Sequence, residues 1–285
     1  MRASPPASPR APFAVHYAPR VQAEELRARI AAFPRWNYRF EFDDGVSTPV
    51  GDRARVNRNR ERRAYFFERL LTVTGGSLRG RRVLDLGCGA GFWALAAIEA
   101  GAEFVLGLDS KREYIEQAEL VFEAKQVDDA RYRFQCDDFF ATKLDGGFDT
   151  VLCLGVLDRI DRPVELFELM SGTGAELIVI DSDVSRARSS LFEVSHLYRT
   201  RDVSGDGMVL IPSRQAVAEL AARHDFETVA LALDVADYSG MDDYRRERRC
   251  AFICSRGREL GGVPAEVRGR VLPWWVRDPR ALIDV

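Results

Sequence analysis

Downstream of residue 80, apolar residues come in short runs of strand length, separated by longer stretches with helical spacing. The runs are RVLDL (82–86), FVLGLD (104–109), YRFQC (132–136), TVLCL (150–154) and ELIVID (176–181). Helix-like stretches fall near 92–100, 111–125, 163–170 and 214–224. A strand that is apolar on both faces belongs inside a sheet covered on both sides, and alternation with helices implies parallel crossovers. The pattern predicts an α/β fold with a Rossmann-like, doubly wound, mostly parallel sheet. Beyond Pro212 and the helix 214–224, ETVALAL (227–233) and ERRCAFICS (247–255) have no helix between them. They predict an antiparallel hairpin closing the sheet edge.

Upstream the pattern differs. Residues 1–20 hold Pro5, Pro6, Pro9, Pro12 and Pro19 and few large apolar groups, so a mobile arm is expected there. Residues 24–33 have helical spacing that Pro34 stops; 36–42 (WNYRFEF) alternate aromatic and polar side chains up to the turn signal Asp44-Gly45. A second helix is predicted over 57–71, with Ala64, Phe67, Leu70 and Leu71 as one stripe and Gly75-Gly76 as its stop. The expected plan is an arm (1–20), an N-terminal helical extension and cover (21–80), the α/β domain (81–260) with a cover insertion at 184–211, and a C-terminal segment (261–285). That last segment contains VLPWWVRDP (271–279) and is aromatic enough to pack on the domain or on another copy.

Composition narrows the class. Forty-one Lys+Arg against 44 Asp+Glu give a net charge of −3, which argues against a nucleic-acid grip built on overall charge. No apolar run approaches 18 residues, and the first residues lack the apolar core of a signal peptide. The five cysteines, at 88, 136, 153, 250 and 254, form no CxxC pair and no even disulfide set. The expectation is a reduced, cytoplasmic protein with no membrane association and no metal, a monomer or homodimer.

The candidate chemistry lies in VLDLGCGAGFWAL (83–95), where a buried strand ends in Asp85 and passes through Gly87, Gly89 and Gly91 into a helix. Glycines there let the backbone approach a ligand closely, and the helix start offers free N–H groups. A GxGxxG loop for a nicotinamide dinucleotide would place its third glycine at 92, where Phe92 stands, and would lack Asp85. Asp109 ends the second strand, where a carboxylate can accept from both hydroxyls of a ribose, and Asp137-Asp138 ends the third, where one can accept from an adenine amine. Three acids at the carboxyl ends of three successive strands suit a cationic nucleoside.

With these residues, the sequence resembles the class I S-adenosylmethionine-dependent methyltransferases across residues 82–256. The resemblance implies a seven-stranded sheet whose last strand is antiparallel, with S-adenosylmethionine as cofactor. It implies that Gly87, Gly89 and Gly91 wrap the methionine portion and that Asp85 lies near its amino group. Asp109 would hold the ribose, Asp137 would face the adenine amine with Phe139 flanking the ring, and Leu154 and Gly155 would line the methyl-transfer side. Cys88, Phe92, Ser110 and Asp138 stand beside these positions. RVLDLGCGAGFWALAAIEAGAEFVLGLDSKREYIEQ with FDTVLCLGVLDRIDRPVELFELM is also similar to the wobble-uridine tRNA methyltransferase group, including its carboxymethyl-transferring branch. That group has an aromatic residue and His after GVL, where this chain has Asp158 and Arg159. Asp158 cannot donate to a carboxylated cofactor, so ordinary S-adenosylmethionine is expected.

Methyl transfer from a sulfonium is an in-line displacement, and a base is needed only for an acceptor proton of high pKa. His196 lies in SSLFEVSHLYRTRD, between the fifth strand and the next helix, where the superfamily places its acceptor cover; Tyr198 follows, and Asp158 comes directly after GVL. These three are the candidate catalytic residues, with His16 a weaker one and His224 read as structural. The arginines at 53, 55, 58, 60, 62, 63 and 69 are expected to form a solvated helix face partly paired with Glu61 and Glu68, the alternative being phosphate binding. The expected function is methylation of oxygen or nitrogen on a small molecule, plausibly in natural-product biosynthesis given the Pro-, Ala- and Arg-rich composition. The alternatives are an RNA-modifying methyltransferase and a cofactor-binding partner protein without activity.

Overall fold

The computed structural model describes residues 22–144, 146–196, 207–231, 233 and 235–260. The predicted arm (1–20), Tyr198 and the C-terminal segment (261–285) lie outside the described residues. The chain opens with α1 (Ala23–Ala31), which ends before Pro34. The next helix, α2 (Arg53–Thr74), exceeds the predicted 57–71 at both ends. Asp52 caps its start, accepting from the amides of Ala54 at 2.9 Å and Arg55 at 3.3 Å, and Gly75 closes it in a left-handed conformation.

Strands and helices then alternate: β1 (Arg82–Leu86), α3 (Phe92–Glu99), β2 (Phe104–Asp109), α4 (Arg112–Ala124), β3 (Tyr132–Cys136), β4 (Thr150–Leu154), α5 (Pro163–Gly172) and β5 (Leu177–Asp183). After them come β6 (Phe192–His196), β7 (Met208–Pro212), α6 (Arg214–Ala222), β8 (Glu227–Ala230), α7 (Asp242–Arg245) and β9 (Arg249–Ser255). Seven strands form one sheet in the order β3-β2-β1-β4-β5-β9-β8. The first five are mutually parallel, and β9 runs antiparallel to both of its neighbours. This is the predicted α/β architecture with an antiparallel last strand.

The expected hairpin forms, with β8 and β9 paired antiparallel, but the short helix α7 stands between them in the chain where the sequence suggested no helix. The hairpin's second strand, β9, inserts between β5 and β8 and leaves β8 at the edge. Burial explains the choice, since every residue of β9 is buried whereas β8 is only partly covered. The strand order reverses between β1 and β4, and in open α/β sheets that reversal opens a crevice at the carboxyl ends of the strands.

The N-terminal extension packs on one face of the sheet. Leu26, Ile30, Trp36, Phe40, Phe66 and Leu70 share a hydrophobic cluster with Trp93 of α3 and Phe122 of α4. A second cluster, around Leu166, Phe167, Val217 and Phe252, fills the space beneath α5 and α6 on the other face. The alternating 36–42 segment makes only a single bridge, Glu41 to Ser47, because no neighbouring strand offers it a ladder. Thr48 holds it instead, accepting from the Phe40 amide at 2.8 Å and donating to the Tyr38 carbonyl at 2.7 Å. The insertion contributes a separate two-stranded sheet, β6-β7, whose Leu210 amide donates to the Ile160 carbonyl at 3.1 Å.

Candidate active site

The glycine turn between β1 and α3 divides its residues between two tasks. Gly87 has φ +66°, and a Cβ there would lie 2.6 Å from a Val156 methyl. Gly91, with φ +76°, is wedged against Ala118, Phe122 and Phe134, where a Cβ would sit at 3.1–3.2 Å. The first glycine therefore lets Val156 of the cavity wall pack against the turn, and the last lets the helix pack on the sheet. Asp109, at the end of β2, braces the turn by accepting from the Gly89 amide at 2.9 Å and from the Lys111 amide at 3.0 Å.

A cavity of about 550 Å³ opens against this turn, a size that encloses a small molecule. Asp109, Ser110, Asp137, Asp138 and Phe139 line it from the ends of β2 and β3. Asp137 and Asp138 are set by local bonds, the first accepting from the Asp138 amide at 2.9 Å and the second from the Phe140 amide at 2.9 Å. Leu154, Gly155 and Val156 line it from the end of β4, and Tyr38 reaches in from the extension. Tyr38 is held by stacking on Phe92, with ring centroids 4.6 Å apart and planes 10° from parallel. Of the aromatic residues in 36–42, Trp36 and Phe40 are core and Phe42 packs against it.

Arginine side chains make up much of the remaining wall, and here the expectation of a solvated face fails. Arg58 and Arg62 of α2 line the cavity with Arg159, Arg162 and Arg249. Arg62 is buried because Asp181, fully buried on β5, accepts from it, from the Tyr244 hydroxyl and from Arg249 Nε at 2.9 Å. Burial alone would push the Asp181 carboxyl upward, but Arg249 and Arg62 pull it down to about 2. Arg58 forms a two-pronged pair with Asp243, at 2.6 Å on each side. Arg53 and Arg60 stay exposed as expected, Arg60 pairing with Glu61, whereas Arg69 pairs with Glu68 but is largely covered. The missed signal was phase: Arg62, Phe66 and Leu70 recur every four residues on one buried stripe.

The other sequence candidates are distributed as follows. Asp85 is fully buried behind the turn, and neither of its oxygens has a hydrogen-bond partner of good geometry. Burial raises its carboxyl well above the ordinary range, the Ala94 amide opposing and the Asp109 charge adding to the effect. Cys88, Gly91 and Phe92 also lie behind the cavity wall; Cys88 is buried, and burial pushes its thiol up. Asp158 is not part of the wall: it is 4% exposed, with Oδ2 at 3.4 Å from Arg249. His196 is the last residue of β6, and the His224 carbonyl, just after α6, accepts from Arg256 at 2.9 Å. Among the described residues, no three His, Cys, Asp or Glu side chains gather as a metal site, and no helix is long and apolar enough to cross a membrane.

The residues present fit the sulfonium nucleoside that the resemblance implies. Gly87 lines the cavity with backbone alone, the place of a Cβ being taken by Val156, and a fully buried acid at 85 stands behind it. Carboxylates at 109 and 137 follow on the neighbouring strands, where a ribose and an adenine amine find acceptors.

Comparison with known proteins agrees with this geometry. A family model described as a methyltransferase domain matches residues 77–201. A ubiquinone biosynthesis O-methyltransferase of Neisseria meningitidis serogroup C (strain 053442) is 34% identical over 89 residues, 31% of this chain and 37% of that protein. The chain therefore spans well under half the length of that curated relative. A tRNA U34 carboxymethyltransferase of Azotobacter vinelandii is 30% identical over 220 residues, 68% of this chain and 62% of that one. Among solved structures, the N-terminal domain of EvdMO1 with SAH bound superposes with a TM-score of 0.61 at 19% identity, covering 83% of this chain and 98% of that chain. At that identity the likeness is one of fold.

The buried acid behind the turn makes a pH prediction. A carboxyl whose folded pKa is raised contributes stability that is intact below its unfolded value, about 4, and is lost as pH rises through the folded value. The melting temperature of the unliganded protein should therefore fall, relative to Asp85→Asn, as pH rises from about 4 toward neutrality. Parallel melting curves for the two proteins across that range would refute the neutral, buried carboxyl.

Proposed function

This chain belongs to the class I S-adenosylmethionine-dependent methyltransferase superfamily, and on that premise we propose that it methylates oxygen or nitrogen on a small-molecule acceptor. The observation that carries the reading is the row of carboxylates at the ends of β2 and β3, facing a glycine turn at the point where the strand order reverses. Bound S-adenosylmethionine supplies a methyl group already activated on a sulfonium. What the chain must add is position and exclusion of water. Asp109 accepts from the ribose hydroxyls, its carboxylate aimed by the Gly89 and Lys111 amides. Asp137 accepts from the adenine amine, Phe139 flanks the ring, and the Gly87 wall admits the methionine portion. Tyr38 and the arginine wall then close the transfer side.

Methylation of oxygen has the support of the ubiquinone biosynthesis O-methyltransferases among the relatives. We assign the base, where the acceptor needs one, to His196, because the β6-β7 sheet that carries it is bonded to Ile160 of the cavity wall. Tyr198 is its reserve. Asp158 takes the supporting part of holding Arg249 at the wall. The setting we favour is natural-product tailoring in the cytoplasm, by a monomer or homodimer.

Asp109→Ala is expected to weaken S-adenosylhomocysteine binding at least about tenfold in titration calorimetry, with the circular dichroism spectrum unchanged. Equal affinity would remove the ribose role. His196→Ala should lower turnover by about 10²-fold or more while leaving cofactor affinity in place; an unaltered rate moves the base elsewhere. A second reading, modification of tRNA, draws on the similarity over 68% of this chain to a tRNA U34 carboxymethyltransferase. It expects filter-retained tRNA whose affinity falls steeply between about 50 and 200 mM salt. The small-molecule reading expects no such binding.

A further inference from the structure

We propose that Arg159 anchors an oxyanion on the acceptor, so that the substrate class is a small molecule bearing a carboxylate or a phosphate group. This inference rests on the methyltransferase reading and deepens it.

Among the described residues five arginines reach the cavity wall, and four of them are already engaged with the protein. Arg58 gives both terminal nitrogens to Asp243. Arg62 and Arg249 share Asp181, and Arg249 also donates to Asp183 at 2.7 Å. Arg162 lies 3.9 Å over the Phe140 ring and reaches Glu165 at 3.3 Å.

Arg159 differs. It ends a short 3-10 turn, Leu157–Arg159, is half-buried, and has no ion-pair partner among the described residues. Its charge is felt at the Tyr38 phenol, which burial pushes up and which Arg62 and Arg159 both pull down. A guanidinium partly removed from water with no counter-ion loses hydration without recovering it, and its fork of N–H donors matches a carboxylate or phosphate edge.

Polarity across the cavity decides which side an anion would take. Asp109, Asp137 and Asp138 stand at the ends of β2 and β3 and repel it, outnumbering Lys111, which also lines that side and lies over the Tyr114 ring. Arg159 follows β4, on the other side of β1, near Gly155, Val156 and Ile160. Arg249 closes that side from β9, where a Gly155 Cβ would lie 3.4 Å from its guanidinium. One cavity therefore presents carboxylates to a cation at one side and a free guanidinium at the other. An acceptor with an anionic handle would be oriented between them.

The test uses the full chain loaded with S-adenosylhomocysteine and titrates benzoate and phenyl phosphate, with methyl benzoate as the neutral control. The expected result is that the anions bind and the ester does not. Arg159→Ala should weaken the anions about tenfold or more, and Arg159→Lys, which keeps the charge and loses the fork, should weaken them less. S-adenosylhomocysteine affinity is expected to stay unchanged in both variants. The proposal is overturned if neither anion binds, if the ester binds equally, or if Arg159→Ala leaves anion affinity intact. It is also overturned if the protein prefers a cofactor carrying a carboxylate on its transferable methyl and Arg159→Ala abolishes that preference, because the oxyanion then belongs to the donor. Failure of S-adenosylhomocysteine to bind the wild-type chain would bring down the methyltransferase reading instead, and the anion titration repeated without it still decides the part of Arg159.

Discussion

A single buried carboxylate organises the arginine side of the cavity. Asp181 lies on β5 near the middle of the sheet with no exposed surface, and it accepts from Arg62 of α2, Arg249 of β9 and Tyr244 of α7. A lone carboxylate in that position would be neutral, since removing its charge from water costs several kcal/mol. Two guanidiniums reverse the balance and hold it ionised down to about pH 2. The dependence is mutual. Without Asp181, two arginine charges would be left in the interior, and breaking a buried pair in this way costs about 3–5 kcal/mol.

That interaction ties the N-terminal extension to the sheet. Helix α2 could have packed on the sheet by its apolar stripe alone, through Phe66 and Leu70 against Trp93. Arg62 adds direction to that packing, because a hydrogen-bonded charge must meet its partner at a set distance and angle whereas apolar contacts tolerate sliding. The same guanidinium sits 5.1 Å over the Trp93 ring, in the first turn of the helix that follows the glycine loop. Sheet, glycine turn and cover are thereby registered to one another, and Arg58 and Tyr38 arrive at the cavity as a consequence.

The electrostatic division of the cavity follows from strand order. The cavity's carboxylates, Asp109, Asp137 and Asp138, stand at the ends of β2 and β3 with Lys111 beside them, Arg159 follows β4 and Arg249 lies on β9, and β1 with its glycine turn lies between the two sets. A ligand spanning the turn passes from a field that favours a cation to one that favours an anion. Asp158 illustrates how strongly partners override type. Its position after GVL suggested a base, but burial beside Arg249 makes it part of the wall's framework.

Much of this was legible in the chain itself. The fold class, the terminal hairpin, the glycine turn and the acids at 109, 137 and 138 follow from local spacing, whereas the seven-strand count with an antiparallel last strand came from the family resemblance. A strand's burial and a turn's backbone conformation are dictated by neighbours within a few residues. The arginine wall was only half legible: the phase of Arg62 with Phe66 and Leu70 turns it inward, but no periodicity within α2 names Asp181, 119 residues away, as the carboxylate that keeps it charged there. The same reasoning explains Asp85, whose sequence position looks like that of a ligand contact, and β9, whose place inside the sheet required knowing that β8 is the less covered strand. Sequence alone determined the strands of the main sheet, most of the helices that cover it and the place of the glycine turn, since those are short-range consequences of sterics and apolar patterning. Tertiary structure alone decided which charges face the cavity, since pairing energy depends on distances that only folding creates.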